Sequence, residues 1–208
     1  RTMDFLNKQR GPSGICRMGF GDWNDALNVG DREGKGESVW TSMAFIWSLR
    51  SLIEFLHRIR DDDEKRYSSI ATKLTQLLNE KFFEGDRYIR AITDNGEKIG
   101  SHTSKEGKIY LNPQSWAIIS GVANKERARS ILAQVRKNLY TDFGPILLSP
   151  PYTTYKESIG RITGDAPGSV ENGANYVHAS MFYAYALTLS NLADEALRIL
   201  KSVLPTNS

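Results

Sequence analysis

The clearest structural pattern in this 208-residue chain lies in residues 37–82, which read ESVWTSMAFIWSLRSLIEFLHRIRDDDEKRYSSIATKLTQLLNEKF. Apolar residues recur at helical spacing from about Glu37 to Arg60, and again between Tyr67 and Phe82. The acidic run at 61–64 is typical of a helix start, because carboxylates are favoured near the positive end of the helix dipole. The stretch therefore predicts two helices joined as an αα-hairpin.

Helical periodicity returns in four later segments, at residues 113–119, 125–139, 174–189 and 194–203. Between the first two helices and these segments, residues 87–92 and the turn signal Asp94-Asn95-Gly96 predict a small β-hairpin. Loops rich in glycine and proline cover residues 11–36 and 140–173. Loops this long inside a compact domain are usually functional.

These elements predict an all-α fold of three αα-hairpins, about half of an (α/α)6 toroid. We expect residues 1–208 to form a single partial barrel. Because half a toroid would leave apolar surfaces open at both ends, we expect the chain to belong to a larger catalytic region or to pair with another chain.

Composition narrows the function classes. The net charge is only +3, and Lys and Arg are interspersed with Asp and Glu, which argues against nucleic-acid binding. The single cysteine, Cys16, cannot form an internal disulfide, so a reducing, cytoplasmic setting is favoured. An apolar run long enough to span a membrane is missing, and so is a signal-peptide pattern, so we expect no membrane partner.

The first candidate site is the run GDWNDALN at residues 21–28. Breaking a glycosidic bond requires a carboxylic acid that protonates the bridging oxygen, and Asp25 is the candidate. Trp23 could stack on a sugar ring, and Asn24 could bind its hydroxyl groups. The structural alternative is that Asp22 or Asp25 caps a short helix and Trp23 fills the core.

The second candidate site is PGSVENGANYVH at residues 167–178, which ends a loop and opens a helix. Glu171 could bind sugar hydroxyl groups, and His178 could donate to an anion such as phosphate. The alternative is helix capping with a buried, hydrogen-bonded histidine. Gln114, in NPQSW at 112–116, also opens a helix after a loop and is a further candidate substrate ligand.

Metal binding is not predicted. His57 and His102 have no metal-ligand spacing to each other or to Cys16.

Four strings, taken in order, resemble one known family: GDWNDALN at 21–28, GESVW at 36–40, NPQSW at 112–116, and the segment with Pro167-Gly168, Glu171-Asn172-Gly173 and His178. They are similar to the inverting glycoside phosphorylases of glycoside hydrolase family 94, typified by cellobiose and chitobiose phosphorylases. The resemblance covers nearly the whole chain. It implies an (α/α)6 barrel that shares its site with a separate β-sandwich, and reversible phosphorolysis of a β-glycoside to an α-sugar 1-phosphate.

The resemblance also implies residue roles. Asp25 falls on the general acid and Trp23 on an aromatic residue that borders the donor sugar. Glu171 falls on a donor-sugar contact and His178 on a phosphate ligand. Phosphate, as co-substrate, attacks the anomeric carbon itself, so no second carboxylate and no cofactor is needed.

Two departures from the family pattern matter. Its further phosphate ligands, an arginine before the acid and a Thr-Gly pair after the histidine, fall outside these 208 residues, so remaining parts of a full-length enzyme are expected as partners. Family members are often dimers, which leaves a homodimer as an open expectation. Val170 replaces a lysine usual in cellobiose phosphorylases, and Arg161 lies slightly upstream. We hypothesise that Arg161 favours an acidic acceptor such as an aldonic acid.

Two alternatives stay open at this point. The chain could belong to an inverting glycoside hydrolase on the same barrel, with Glu171 as base. It could also be an inactive, truncated sugar-binding fragment.

Overall fold

The structure is a computed structural model, and it describes residues 1–30 and 32–204. The helices are α1 Thr2–Lys8, α2 Val39–Ile59, α3 Asp63–Lys81, α4 Leu111–Ile119, α5 Lys125–Leu139, α6 Val177–Leu189 and α7 Ala193–Ser202. The strands are β1 Glu37–Ser38, β2 Ala91–Ile92, β3 Lys98–Ile99, β4 Ile109–Tyr110, β5 Tyr140–Thr141, β6 Gly144–Pro145 and β7 Leu148–Ser149.

Within the described ranges the long helices pair in chain order, as α2–α3, α4–α5 and α6–α7, and α4 also packs against both α2 and α6. The three predicted αα-hairpins are confirmed, and the fold is a partial all-α toroid. The core lies between the helices, where Met43, Ile46 and Leu49 of α2 and Leu74 and Leu78 of α3 are buried.

Two helices begin later than their periodicity predicts. Helix α2 begins at Val39 because Glu37 and Ser38 form β1, in register with Ile92 and Ala91 of β2. The Ser38 hydroxyl then caps α2 by accepting from Thr41 N at 2.9 Å. Helix α6 begins at Val177, and not at residue 174, since the chain there is held outside the helix by a hydrogen bond from Leu147 N to Ala174 O.

The predicted β-hairpin is present but belongs to a larger sheet. Strands β2 and β3 pair antiparallel on either side of the turn at 94–96, and β1 adds a third strand in the order β1-β2-β3. Two further two-stranded sheets, β4–β7 and β5–β6, were not predicted. Their strands are only two residues long, too short for an alternating pattern to appear in the sequence.

The first and last hairpins expose apolar side chains, as expected for an incomplete ring. Trp47 and Phe55 are exposed on α2, Leu189 on α6, and Leu197 and Leu200 on α7. Among the described residues, no helix combines the length and apolarity needed to cross a membrane.

Candidate active site

The segment at residues 22–25 is anchored by a buried ion pair. The guanidinium of Arg90 donates to both carboxylate oxygens of Asp22, with Nη1–Oδ2 at 2.7 Å and Nη2–Oδ1 at 2.5 Å. Both side chains are almost completely buried. The Ser38 hydroxyl also donates to Asp22 Oδ2, at 2.5 Å, so the residue that caps α2 holds this segment as well.

The sheet determines where Arg90 lies. Arg90 N donates to Ile99 O at 2.7 Å, and Arg90 O accepts from Val39 N at 3.3 Å. The neighbouring Gly100 has φ +77°, and a Cβ there would lie 2.7 Å from Arg90 N. Only glycine fits both constraints, so the chain can approach Arg90 this closely.

Asn24 connects this ion pair to the second candidate site. Its side chain is completely buried, and Oδ1 accepts from Arg90 Nη2 at 2.8 Å. Its Nδ2 donates to Glu171 Oε2 at 3.0 Å, across 147 residues of sequence. Glu171 is 6% exposed, and its other oxygen, Oε1, carries no hydrogen bond from any described residue. That oxygen is the one available to an incoming hydroxyl group.

The residue after Glu171 fixes the position of the loop. Asn172 is buried, and its Oδ1 accepts from Tyr152 N at 2.8 Å. Its Nδ2 donates to Tyr152 O at 2.9 Å and to Asp165 O at 2.8 Å. Because this amide uses both of its N–H groups and its oxygen on backbone groups, it holds the loop that carries Glu171 in place.

A second long-range contact joins the same two segments. Trp23 Nε1 donates to His178 Nδ1 at 2.9 Å, across 155 residues of sequence. The indole ring is half-buried and makes edge contacts with Tyr176, His178 and Phe182 at centroid distances of 5.3, 5.2 and 6.0 Å. His178 is exposed near the beginning of α6.

Asp25 lies in an exposed turn, and among the described residues none hydrogen-bonds to its carboxylate. The loop that carries Arg161 packs on this turn, with Asn28 N donating to Ile159 O at 2.9 Å and Ile162 N donating to Ala26 O at 2.8 Å. Arg161 itself is exposed at the beginning of a short 3₁₀ helix. The structure thus brings Asp25 and Arg161 onto adjoining loops.

Gln114 was predicted as a substrate ligand because it opens a helix after a loop, but the structure places it in the interior. It is completely buried; Oε1 accepts from Tyr88 N at 3.0 Å, and Nε2 donates to Tyr88 O at 2.8 Å and to Tyr110 O at 3.1 Å. Both donors and the oxygen are therefore used by the backbone, and Gln114 joins two chain segments without facing an open surface.

Two buried tyrosines, Tyr110 and Tyr152, are hydrogen-bonded through backbone atoms to Gln114 and Asn172 respectively. The hydroxyl groups of Tyr110 and Tyr152 are 2.8 Å apart. Burial raises the pKa of Tyr110 well above its ordinary value, and it raises the pKa of Tyr152 as well. Both phenols therefore stay neutral and contribute hydrogen bonds, not charge, beneath the site.

Arg90, which contacts both Asp22 and Asn24, was not among the residues predicted from the sequence. Alternation within residues 87–92 places it on the same strand face as Tyr88 and Ile92. A charged residue on an otherwise apolar face was the available signal, since such a charge needs a buried partner.

The described residues contain no group of three or more His, Cys, Asp or Glu side chains placed to hold a metal ion. The lone Cys16 is buried, and burial raises the pKa of its thiol.

Several relatives of this chain are phosphorylases by name. The chain is 38% identical over 205 residues to the 3-O-β-D-glucopyranosyl-β-D-glucuronide phosphorylase of Paenibacillus borealis, covering 98% of this chain and 26% of the relative. It is 42% identical over 190 residues to the solabiose phosphorylase of the same organism, covering 90% and 25%. It is 38% identical over 207 residues to the cellobionic acid phosphorylase of Neurospora crassa, covering 99% and 26%. The chain thus spans about a quarter of the length of these relatives.

Solved structures share the fold at lower identity. A rhamnose-bound rhamnosidase from Klebsiella oxytoca superposes with a TM-score of 0.62 at 15% identity, over 96% of this chain and 30% of that one. A family 78 rhamnosidase from Bacillus sp. GL1 superposes with a TM-score of 0.63 at 18% identity, over 96% and 17%.

The family model of the glycosyl hydrolase 94 superfamily catalytic domain matches residues 1–208, the whole chain. Together with the order of the motifs and their meeting in the fold, this match shows that the chain belongs to the glycosyl hydrolase 94 superfamily, within its catalytic domain.

Proposed function

We propose that the chain forms part of the catalytic barrel of an inverting glycoside phosphorylase. The reaction converts a β-linked gluco-disaccharide or oligosaccharide and inorganic phosphate into an α-sugar 1-phosphate and a shortened acceptor. The observation that carries the proposal is the pair of long-range hydrogen bonds, Asn24–Glu171 and Trp23–His178, which unite the acid-bearing segment with the anion-binding candidate.

In the proposed reaction, protonated Asp25 gives its proton to the glycosidic oxygen as the bond to the anomeric carbon breaks. A phosphate oxygen forms the new bond to that carbon from the opposite face, which inverts its configuration. The hydrogen phosphate releases its proton to solvent on forming the ester, and Asp25 takes one proton up from solvent, so the protons balance over one turnover. His178 donates to the phosphate, and no cofactor takes part.

The donor sugar is held by the polar network. Glu171 Oε1 accepts from a sugar hydroxyl group, while Asn24 keeps Oε2 occupied and the carboxylate oriented. Trp23 offers the remaining accessible part of its ring to the sugar. Gln114 is not among the proposed substrate contacts, because backbone groups already use its hydrogen-bonding atoms.

Phosphate dependence tests this function. We expect release of the acceptor sugar from a β-linked disaccharide to require inorganic phosphate and to yield an equal amount of sugar 1-phosphate. The assay uses the protein as its gene encodes it, with a panel of disaccharides and with and without phosphate. Release of free sugar at the same rate without phosphate would support an inverting hydrolase with Glu171 as base, and would contradict the proposal.

The acceptor is proposed to be acidic. Two of the three relatives described above carry a uronic or aldonic acid in their names, glucuronide and cellobionic acid. Arg161 is exposed on the loop that packs against the Asp25 turn, where a guanidinium can pair with a carboxylate. Val170, which directly precedes Glu171 in sequence, is exposed and carries no charge that could pair with the acceptor.

Arg161→Gln tests the acceptor. A hydrogen bond to a charged group contributes about 1.5–3 kcal/mol, which corresponds to roughly a tenfold to hundredfold change in affinity. In the synthetic direction with glucose 1-phosphate, we expect kcat/KM for gluconate or glucuronate to fall by about that factor. Glucose serves as the control acceptor and should change little. Inert gluconate and efficient glucose in the wild type would contradict an acidic acceptor.

The remaining parts of the enzyme belong to the same proposal. Further hairpins of a closed ring would cover the apolar side chains exposed on the first and last hairpins. We also propose a homodimer and a cytoplasmic location. The single buried cysteine supports a reducing compartment. An inactive sugar-binding fragment is the outcome if the encoded protein binds sugar but turns over no disaccharide with phosphate.

A further inference from the structure

Trp23 makes a contact that its expected role as a sugar platform does not explain. Its indole N–H, the side chain's single polar group, points at the ring of His178, with Nε1–Nδ1 at 2.9 Å. Because indole nitrogen is a donor only, His178 Nδ1 must be the acceptor in this bond. A neutral imidazole that accepts at Nδ1 carries its proton on Nε2.

The histidine ring is held from two sides. The Trp23 ring meets it edge-on at 5.2 Å and 63°. Phe182, one turn further along α6, meets it at 4.5 Å and 42°. Since rotation of the imidazole by half a turn would place a carbon against the indole N–H, the ring keeps one orientation.

These contacts fix the direction in which the Nε2–H group of His178 points. With Nδ1 facing Trp23, the Nε2–H lies on the far side of an exposed ring, and no described residue takes its hydrogen bond. A neutral Nε2–H can donate to an anion without a second proton on the ring. We infer that Trp23 is a positioning residue for phosphate, because its N–H selects the Nε2–H tautomer of His178 that donates to the anion. The inference rests on the proposed function for the identity of the anion.

Neighbouring residues of the segment at 22–25 contact different parts of the site. Asn24 reaches Glu171 on the sugar side, while the adjacent Trp23 reaches His178 on the phosphate side. One short segment therefore positions both co-substrate sites next to the acid, Asp25.

Histidine-selective ¹⁵N NMR of the protein as its gene encodes it tests the tautomer directly, and the His178 resonances are assigned by their loss in His178→Gln. The measurement is made near pH 8.5, where an ordinary imidazole is neutral. We expect the wild-type His178 to carry its proton on Nε2, and added inorganic phosphate to shift the Nε2 resonance. His57 and His102 serve as internal references. A wild-type proton on Nδ1 would overturn the inference even if no variant were made.

Trp23→Phe keeps a ring and removes the donor. We expect a mixture of His178 tautomers and a roughly fivefold to tenfold rise in KM for phosphate, larger than the rise in the KM for the sugar, which still meets an aromatic ring at this position. Trp47→Phe, which alters an exposed tryptophan on α2, is the matched control. An unchanged tautomer together with an unchanged phosphate KM in Trp23→Phe would overturn the inference. If Trp23→Phe fails to fold, the wild-type tautomer and its response to phosphate decide.

The two proposals fail separately. Full activity without phosphate would remove the proposed function while leaving the tautomer measurement intact. The wrong tautomer in a phosphate-dependent enzyme would remove only the role of Trp23.

Discussion

Asp25→Asn is expected to lower the turnover of the natural disaccharide by about 10³-fold, within the range of 10²–10⁴ that a general acid contributes. Asparagine has almost the same shape but cannot give up a proton to the departing oxygen. Because Asp25 is exposed and no described residue hydrogen-bonds to its carboxylate, the substitution should leave the folded structure and its stability unchanged. Steady-state phosphorolysis, with circular dichroism as the check on folding, measures the effect.

The chemistry of the leaving group provides the sharper control. A β-glucoside with a nitrophenolate leaving group hardly needs protonation, so Asp25→Asn should recover much of its lost rate on that substrate. Asp142→Asn, at an exposed turn between β5 and β6, should behave as wild type. Turnover of the natural substrate within a few-fold of wild type in Asp25→Asn would remove it from the acid role.

Arg90→Met is expected to cost about 3–5 kcal/mol of the free energy of unfolding, because it leaves the Asp22 carboxylate buried without its partner. That is a large part of the 5–15 kcal/mol typical of a whole domain. The change also frees the Asn24 amide, whose Oδ1 loses its donor, so Glu171 should lose its orientation too. Urea unfolding measures the loss in stability.

The chain offers a matched control for Arg90. Arg58 pairs with Glu54 one helical turn away on α2, but both side chains are largely exposed. Arg58→Met should therefore cost less than about 1 kcal/mol. Adding Asp22→Asn to Arg90→Met should restore part of the lost stability, since the unpaired charge is then gone. Equal costs for Arg90→Met and Arg58→Met would contradict the buried ion pair.

Much of the fold could be predicted from local patterns. Helices α2, α3 and α5 follow an apolar period that the chain repeats over several turns, and the turn at 94–96 marks the β2–β3 hairpin. The starts of α2 and α6 could not be predicted, because hydrogen bonds from distant strands and loops compete with the helix there.

The residues of the candidate site could be proposed from the sequence, but the contacts between them could not. Gln114 looked like a ligand because it opens a helix after a loop, yet three backbone groups from residues 88 and 110 use its amide. Arg90 looked like an ordinary strand residue, yet it pairs with Asp22 in the segment at residues 22–25. In both cases the partners lie far away in sequence or on another element, so the residues next to Gln114 or Arg90 in sequence do not predict them.

By itself, the sequence determined the class of fold, the family and the segments that we propose for the chemistry, since helical period and motif order are properties of the chain. Only the tertiary structure decided that Trp23 meets His178, that Asn24 meets Glu171 and that Arg90 lies buried beneath Asp22. The physical reason is that buried polar groups must find partners, and packing brings those partners together from 68 to 155 residues apart in sequence.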